Sequence, residues 1–259
     1  MRNSTIYEQV VIDSIATAGF AGKIQTAAGN NANAPDADLR ICGKTYNVEV
    51  KLNRNAQMGG SSIRYFRKND EINFVESLDH TTQLMLAETV CNKKKEIDQL
   101  IQFIADNWDP GVNQFPLTCS KEVWTTAQNK NLLINAKIHK SVEFITAHYA
   151  KKNVYYVQIG GAGLFWMQKN PAELPIPQLQ GNINIEIRSG RSGSRKRKDG
   201  TCIISAGLRI QARLKAKNTS PYTLDDPNSI KALLSCQHQQ KLPSQDEQHQ
   251  GLSPHVLSR

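Results

Sequence analysis

Residues 35–51 read PDADLRICGKTYNVEVK and predict a β-hairpin with charged side chains on one of its faces. Two segments, 38–41 and 46–52, alternate between apolar and polar residues, as half-buried strands do. The intervening CGKT at 42–45 supplies residues that are typical of a hairpin turn. This hairpin is the basis on which both the fold and the candidate site are predicted.

The predicted register brings two acids together. If the turn closes on Gly43 and Lys44, Asp38 lies opposite Glu49, and cross-strand partners of this kind are about 5 Å apart. Lys51 shares the face of Glu49, because alternate residues of a strand point the same way. Two carboxylates side by side in an apolar hairpin are unfavourable unless a divalent cation lies between them. Mg²⁺ or Mn²⁺ is therefore the expected cofactor, which could activate water for attack on a phosphate.

This arrangement resembles the PD-(D/E)XK nuclease superfamily, which carries an Asp, often preceded by Pro, on one strand and Glu-x-Lys on the next. The order of elements is also similar, with a helix at 5–18 before the hairpin and a later helix near 141–150 leading into the apolar strand 154–159. The resemblance implies an α/β restriction-endonuclease-like core, in which a mixed central sheet is flanked by helices. It also implies that Asp38, Glu49 and Lys51 are catalytic, with Asp38 and Glu49 as metal ligands.

Three further residues are candidates for the same site. The literal Pro-Asp pair makes Asp36 the alternative to Asp38 as the metal-binding acid, whereas the predicted hairpin geometry favours Asp38 and leaves Asp36 as a turn or capping residue. Glu8 lies on the first helix, where members of the superfamily often place an additional acid, although a solvated helix face is the plain alternative. Gln57 follows Lys51 by six residues and resembles an accessory glutamine of some members.

The chain is predicted to divide into three parts. Residues 1–165 form the nuclease-like core, including a helical insert, and begin with an amphipathic helix capped by Ser4 that buries Ile6, Val10, Val11 and Ile15. The GGAG at 160–163 predicts a hairpin turn rather than a phosphate loop, because apolar strands flank it on both sides. Residues 166–235 form a basic, β-rich extension with strands at 182–188 and 201–214. Residues 236–259 are too polar to fold and predict a disordered tail.

A basic segment between the last two strands is the predicted DNA-binding element. It is rich in Gly and Ser, which predicts a flexible loop that orders against phosphates, with a localisation signal or a solvated run as alternatives. Its cations are Arg188, Arg191, Arg195, Lys196, Arg197 and Lys198. The following residues 208–217 alternate so that their polar side chains share one face, which is either a basic strip beside the loop or the wet side of a sheet.

Composition is consistent with a polyanionic partner. The 259 residues carry a formal net charge of +9, which would steer DNA or RNA toward the surface. The five cysteines are scattered singly, without zinc-finger spacing, and no apolar stretch approaches the length of a membrane span. These observations predict an intracellular, cytoplasmic protein with free thiols, whether a cell, a virus or a phage encodes it. They also predict that the protein binds DNA and no membrane.

The leading function is a metal-dependent endodeoxyribonuclease of restriction, homing or repair type. The alternative is a non-cleaving DNA-binding or packaging protein on the same scaffold. An RNA substrate and a homodimer are both compatible with the sequence.

Overall fold

A computed structural model describes residues 3–27, 35–67, 71–74, 89–90 and 92–240, with the backbone alone for 71–74 and 236–240. The described helices are α1 (Asn3–Ala18), α2 (Lys94–Asn107), α3 (Lys121–Asn129), α4 (Glu143–Lys151) and α5 (Pro227–Gln240). The strands are β1 (Ala37–Ile41), β2 (Lys44–Lys51), β3 (Gln57–Phe66), β4 (Glu71–Phe74), β5 (Gln114–Phe115), β6 (Leu117–Ser120), β7 (Asn135–Ser141), β8 (Val154–Ile159), β9 (Gly163–Trp166), β10 (Gly181–Lys196) and β11 (Cys202–Ala216). The mixed α/β class predicted from the sequence is confirmed.

The first sheet has four strands in the order β1-β2-β8-β9. The β1–β2 and β8–β9 pairs are antiparallel hairpins, as predicted, whereas β2 and β8 run parallel. A parallel pair needs a long crossover connection. Here the crossover contains β3 to β7 and ends in α4, which leads directly into β8 as expected.

The second sheet has seven strands, and every pairing within it is antiparallel. Its main path is β4-β3-β11-β10-β7, while β5 pairs with β3 and β6 pairs with β11. Strands from the predicted C-terminal extension, β10 and β11, thus pair with strands from the predicted N-terminal core. The helical insert expected over this part of the chain contains α2 and α3 but also three strands.

Two hydrophobic clusters stabilise these layers. The larger one packs the second sheet against α2, α3 and α4, with Ile101, Trp124 and Ile185 among its buried side chains. The smaller one packs α1 and α5 on the first sheet and includes Leu39 and Val50. Both clusters form because apolar side chains alternate along the strands and recur every three to four residues along the helices.

Helix α1 buries only part of the predicted stripe, since Val11 and Ile15 are buried as expected. Ile6 and Val10 are 47% and 43% exposed, whereas Val11, Ile12 and Ile15 are buried. Because 8, 11, 12 and 15 share one helical face, this rotation also places Glu8 on the buried side. The helix begins at Asn3, so Ser4 lies inside it and is not its cap, contrary to the prediction.

The basic segment and the chain end also differ from prediction. Residues 188–196 continue β10 paired with β11, with a β-bulge between Arg191 and Gly193, so they are a strand and not a flexible loop; only 197–201 form the turn. Helix α5 extends past Ser235, where the tail was predicted to begin, because Ile230, Leu233 and Leu234 pack it onto the smaller cluster. The remaining predicted tail, 241–259, lies outside the described residues. None of the described helices is both long and apolar enough to cross a membrane.

Candidate functional site

The β1–β2 hairpin closes on a tighter turn than predicted. Cys42 and Gly43 form a two-residue turn with φ of 48° and 76°, the left-handed values that suit the twist of a hairpin. Asp38 consequently pairs with Asn47, not with Glu49, and the predicted register is wrong by two residues. Since Ala37 pairs with Val48, the next position outward places Asp36 beside Glu49.

Asp38 is engaged elsewhere. Its two carboxylate oxygens accept hydrogen bonds from the backbone amides of Lys23 and Ile24, at 2.6 and 3.1 Å. A Cβ on Gly22 would lie 2.3 Å from the same carboxylate, so this loop needs glycine to approach it closely. Asp38 is buried and secures the loop that follows α1 to the edge of β1. The structure therefore places Asp36 beside Glu49, where the sequence had predicted Asp38.

Asp36 is held at the start of β1 with its carboxylate turned toward β2. It accepts a hydrogen bond from the backbone amide of Val50 at 2.8 Å. Burial, together with the negative charge of Glu49, raises the pKa of Asp36 from its ordinary value of 3.8 to about 7. The positive charge of Lys51 and the Val50 amide oppose this rise but do not cancel it. Asp36 therefore lies in a negative, largely desolvated environment.

Glu49 and Lys51 lie on the same face of β2, as predicted, and form an ion pair. The hydroxyl of Tyr149 on α4 lies 3.0 Å from a Glu49 oxygen and 3.0 Å from the carbonyl of Met58, so one proton can serve either acceptor. Burial lowers the pKa of Lys51, but Glu49, Tyr149 and Asp36 raise it more, so the net direction is upward. Lys51 is therefore a protonated, positively charged side chain.

Glu8 reaches the same cluster from α1. It is 7% exposed, and its Oε2 is the one buried side-chain oxygen or nitrogen of the described residues without a hydrogen-bond partner. Burial raises the pKa of Glu8, with Lys51 and Glu49 exerting opposite electrostatic effects on it. A buried carboxylate oxygen that accepts no hydrogen bond is costly, which identifies an unsatisfied acceptor beside Glu49 and Lys51.

The acids suit a hard divalent cation by their chemistry. When ionised, Asp36, Glu49 and Glu8 set three carboxylates against the single ammonium of Lys51, leaving an excess of negative charge that a divalent cation would offset. Within the described ranges, no group of three or more His, Cys, Asp or Glu is close enough to hold a metal as it stands. Mg²⁺ commonly uses only one or two carboxylates and retains several waters, so the two features are compatible.

Two buried polar residues near the site, Tyr149 and Gln158, were not predicted from the sequence. Tyr149 gives no distinctive signal, because one tyrosine on the buried side of a helix normally packs in a core. Gln158 does give a signal, because it is the one side-chain amide in the otherwise apolar strand VYYVQI, where a polar side chain needs hydrogen-bond partners. Its fully buried amide donates to Tyr7 and Thr223 and accepts from the Leu224 backbone, which secures the segment before α5 to α1 and β8.

The remaining predicted residues lie on the second sheet. Gln57 begins β3, where it is exposed and pairs with Arg213 of β11. Arg188 forms an ion pair with Glu186 on its own strand, and Arg197 lies over the Trp108 ring at 5.4 Å from its centroid. The other predicted DNA contacts are exposed along the β10–β11 hairpin and its turn: Arg191, Arg195, Lys196 and Lys198.

The geometry thus gathers Asp36, Glu49, Lys51 and Glu8, with Tyr149 behind them, at the open end of the hairpin. It keeps Asp38 and Gln57 in other surroundings. The chain as a whole matches no protein-family model, no curated protein and no solved structure.

Proposed function

We propose that this protein is a metal-dependent nuclease that hydrolyses phosphodiester bonds of DNA. The observation that carries the proposal is that three acids from three segments, Asp36, Glu49 and Glu8, lie near enough to one another and to Lys51 to interact electrostatically. Grouping acids in this way opposes folding, because each must lose water beside like charges. Perturbed, clustered acids of this kind recur at functional sites.

Each residue has a distinct role in this proposal. Asp36 and Glu49 would hold Mg²⁺ or Mn²⁺, with Glu8 as a further acid whose free oxygen accepts from a retained water. When bound, the ion lowers the pKa of a water and stabilises charge on the phosphate. Lys51 stays protonated beside Glu49, so it donates hydrogen bonds to a phosphate oxygen rather than removing a proton from water. Tyr149 positions Glu49 through its hydroxyl.

The exposed cations of the β10–β11 hairpin support DNA as the substrate. A two-stranded β-ribbon fits the major groove, and the Arg and Lys side chains at its end can meet phosphates on either side. Arg191, Arg195, Lys196 and Lys198 are exposed there. Arg188 and Arg197 can contribute only by sharing or leaving their present partners, Glu186 and Trp108.

The second candidate is a non-cleaving DNA-binding or packaging protein on the same scaffold. Two observations favour it: Lys51 already neutralises Glu49, and the described residues contain no ready set of three metal ligands. A purely structural ion pair would look the same at this pair of residues. The two functions differ in whether DNA is cut when the metal is supplied.

The deciding experiment incubates the purified protein with supercoiled plasmid, linear DNA and RNA, each with Mg²⁺, Mn²⁺ or EDTA. We expect cleavage of DNA with metal and none with EDTA. Asp36→Asn, Glu49→Gln and Lys51→Ala should each reduce the rate about 100-fold or more, since each removes charge stabilisation at the reacting phosphate. Glu122→Gln, which changes an exposed acid on α3, is the control and should remain fully active. Full activity of Glu49→Gln, or cleavage in EDTA, would refute the proposed site.

Asp36→Asn and Asp38→Asn separate the two candidate acids. Asp36→Asn should lose cleavage while folding normally. Asp38→Asn should retain the metal dependence of any remaining activity and mainly lose stability, because its carboxylate holds two backbone amides. The reverse pattern would restore Asp38 as the metal-binding acid.

A further inference from the structure

The two faces of the second sheet have opposite character. Along β11, Leu208, Ile210 and Leu214 are fully buried in the larger cluster beneath the helices. The alternate residues, such as Arg209 and Lys215, are exposed on the other side. We define the open face as these outward side chains on four adjacent strands, β3, β11, β10 and β7.

The open face is strongly basic. The four strands contain ten Lys and Arg residues and a single carboxylate, Glu186. The strand pairings place six of the cations in one field across the face: Arg64, Lys137, Arg188, Arg209, Arg213 and Lys215. The face is also continuous, because Arg188 pairs with Arg209 on β11 and with Asn135 on β7.

Glu186 orders the middle of the face without neutralising it. It lies 3.2 Å from Lys137 and 3.5 Å from Arg213, and it also pairs with Arg188. Partial burial raises the pKa of Glu186, but Lys137 and Arg188 lower it by more. The net direction is downward, so Glu186 stays ionised. Three cations are thus fixed around one acid, while Arg64, Arg209 and Lys215 are exposed on either side of that group.

We propose that the open face binds the phosphate backbone of duplex DNA. Four strands about 4.8 Å apart present a surface roughly 15 Å wide, and residues 209–215 of β11 extend for about 20 Å at about 3.4 Å per residue. Duplex DNA carries one phosphate charge per about 1.7 Å of its axis, so a surface of this size faces several phosphates at once. The area and charge of the face therefore match a duplex.

A single strand fits the face less well. Proteins that hold single strands stack the bases on aromatic side chains. Strands β7, β10 and β11 contain no Phe, Tyr or Trp, so most of the face lacks such a platform. Its cations alternate with side-chain amides such as Asn135 and Gln211, which can bond to phosphate and sugar groups or to base edges. The preference is therefore for the duplex.

This inference deepens the proposed function by naming duplex DNA as its substrate form, yet it can stand or fall independently of cleavage. Binding is measured in EDTA by fluorescence anisotropy with a labelled duplex of about 30 base pairs, which spans more than the face. A single strand of the same sequence is the second ligand. Salt concentration is varied, because each phosphate contact contributes about 0.9 to the slope of log affinity against log salt.

The test variant combines Arg64→Gln, Arg209→Gln and Lys215→Gln, none of which pairs with Glu186. Its matched control removes three exposed lysines outside the face, by Lys44→Gln, Lys121→Gln and Lys169→Gln. We expect the test variant to bind duplex at least tenfold more weakly, with a salt slope lower by about 2 to 3. The control should bind within about twofold of wild type. Asn135→Glu adds an acid to the face and should also weaken duplex binding.

Three results would overturn the inference: wild-type duplex affinity in the test variant, an equal loss in the control, or single-strand affinity equal to duplex affinity. A failed nuclease proposal looks different. It would leave duplex binding dependent on the open face, while plasmid stays intact with Mg²⁺. Conversely, if cleavage requires Glu49 but is unchanged in the open-face variant, the inference about the open face is refuted and the nuclease proposal stands.

Discussion

Asp36→Asn should change the stability of the protein in a way that depends on pH. The carboxyl of Asp36 has a pKa of about 7 in the folded protein, against an ordinary value of 3.8, because it is buried beside Glu49. A raised carboxyl pKa means that folding is favoured while the group is protonated and opposed once it ionises. The contribution is fully present below the unfolded pKa and is lost as pH rises through 7. Asparagine stays neutral throughout.

The magnitude follows from the proton linkage. Each pKa unit corresponds to about 1.4 kcal/mol, so the full effect of ionising Asp36 is about 4 kcal/mol. Between pH 5 and pH 8, the unfolding free energy of Asp36→Asn should rise relative to wild type by about 2 to 3 kcal/mol. A weaker hydrogen bond from Val50 subtracts a roughly constant amount of about 1 kcal/mol at both pH values.

Urea denaturation in EDTA at the two pH values measures this difference. Asp106→Asn, an exposed change on α2, is the control and should keep a constant difference from wild type. Adding Mg²⁺ at pH 8 should then stabilise wild type and not Asp36→Asn, because a ligand of the native state stabilises it only where it binds. A stability difference that does not change with pH would refute the electrostatic account of Asp36. Equal Mg²⁺ stabilisation of both proteins would remove Asp36 from the metal site.

Four further outcomes can be checked. Gly22→Ala should lower the unfolding free energy by about 1 to 3 kcal/mol in urea denaturation, because its Cβ would meet the Asp38 carboxylate that holds two amides; an unchanged midpoint would contradict the account of this loop. Tyr149→Phe should reduce kcat several-fold at constant KM, since it removes the hydroxyl that positions Glu49, and a change in KM alone would assign Tyr149 to substrate binding. At pH 8, a thiol reagent followed by peptide mapping should modify exposed Cys42 and spare Cys119, whose pKa burial raises to about 11; rapid labelling of Cys119 would show that this core opens. Deleting 241–259 should leave Tm unchanged, because so polar a segment buries little apolar area, and a fall of several degrees would show that it docks.

Alternation of side chains made the strands predictable, and turn geometry set the limit of that prediction. The period-two pattern found the β1–β2 hairpin and the polar face of β11, while the glycines between two apolar runs found the β8–β9 hairpin. It could not fix the register, because a shift of two residues keeps the same side chains on the same face. The choice between Asp36 and Asp38 depended on that register, and hence on whether Cys42 accepts a positive φ.

Other differences came from tertiary contacts that local patterns do not contain. Glu8 was a candidate by its position on the first helix, but its burial follows from the packing of Val11 and Ile12. The Gly- and Ser-rich part of β10 has weak strand propensity, and its pairing with β11 overrides that local preference. Tyr149 hydrogen-bonds to Glu49 although the two residues are 100 positions apart in the sequence. The crossover between β2 and β8 brings them together.

Strand β2 places the candidate site between the two hydrophobic clusters of the fold. Its alternate residues Val48 and Val50 pack in the smaller cluster with α1 and α5. Glu49 points the other way, toward Tyr149, which belongs to the larger cluster with α4. The charged residues therefore lie where the two clusters meet: Glu8 is on α1, which packs in the smaller cluster, and Tyr149 belongs to the larger one. Because packed clusters resist deformation, the acids stay near one another despite their repulsion, and a divalent cation bound beside them would relieve that repulsion.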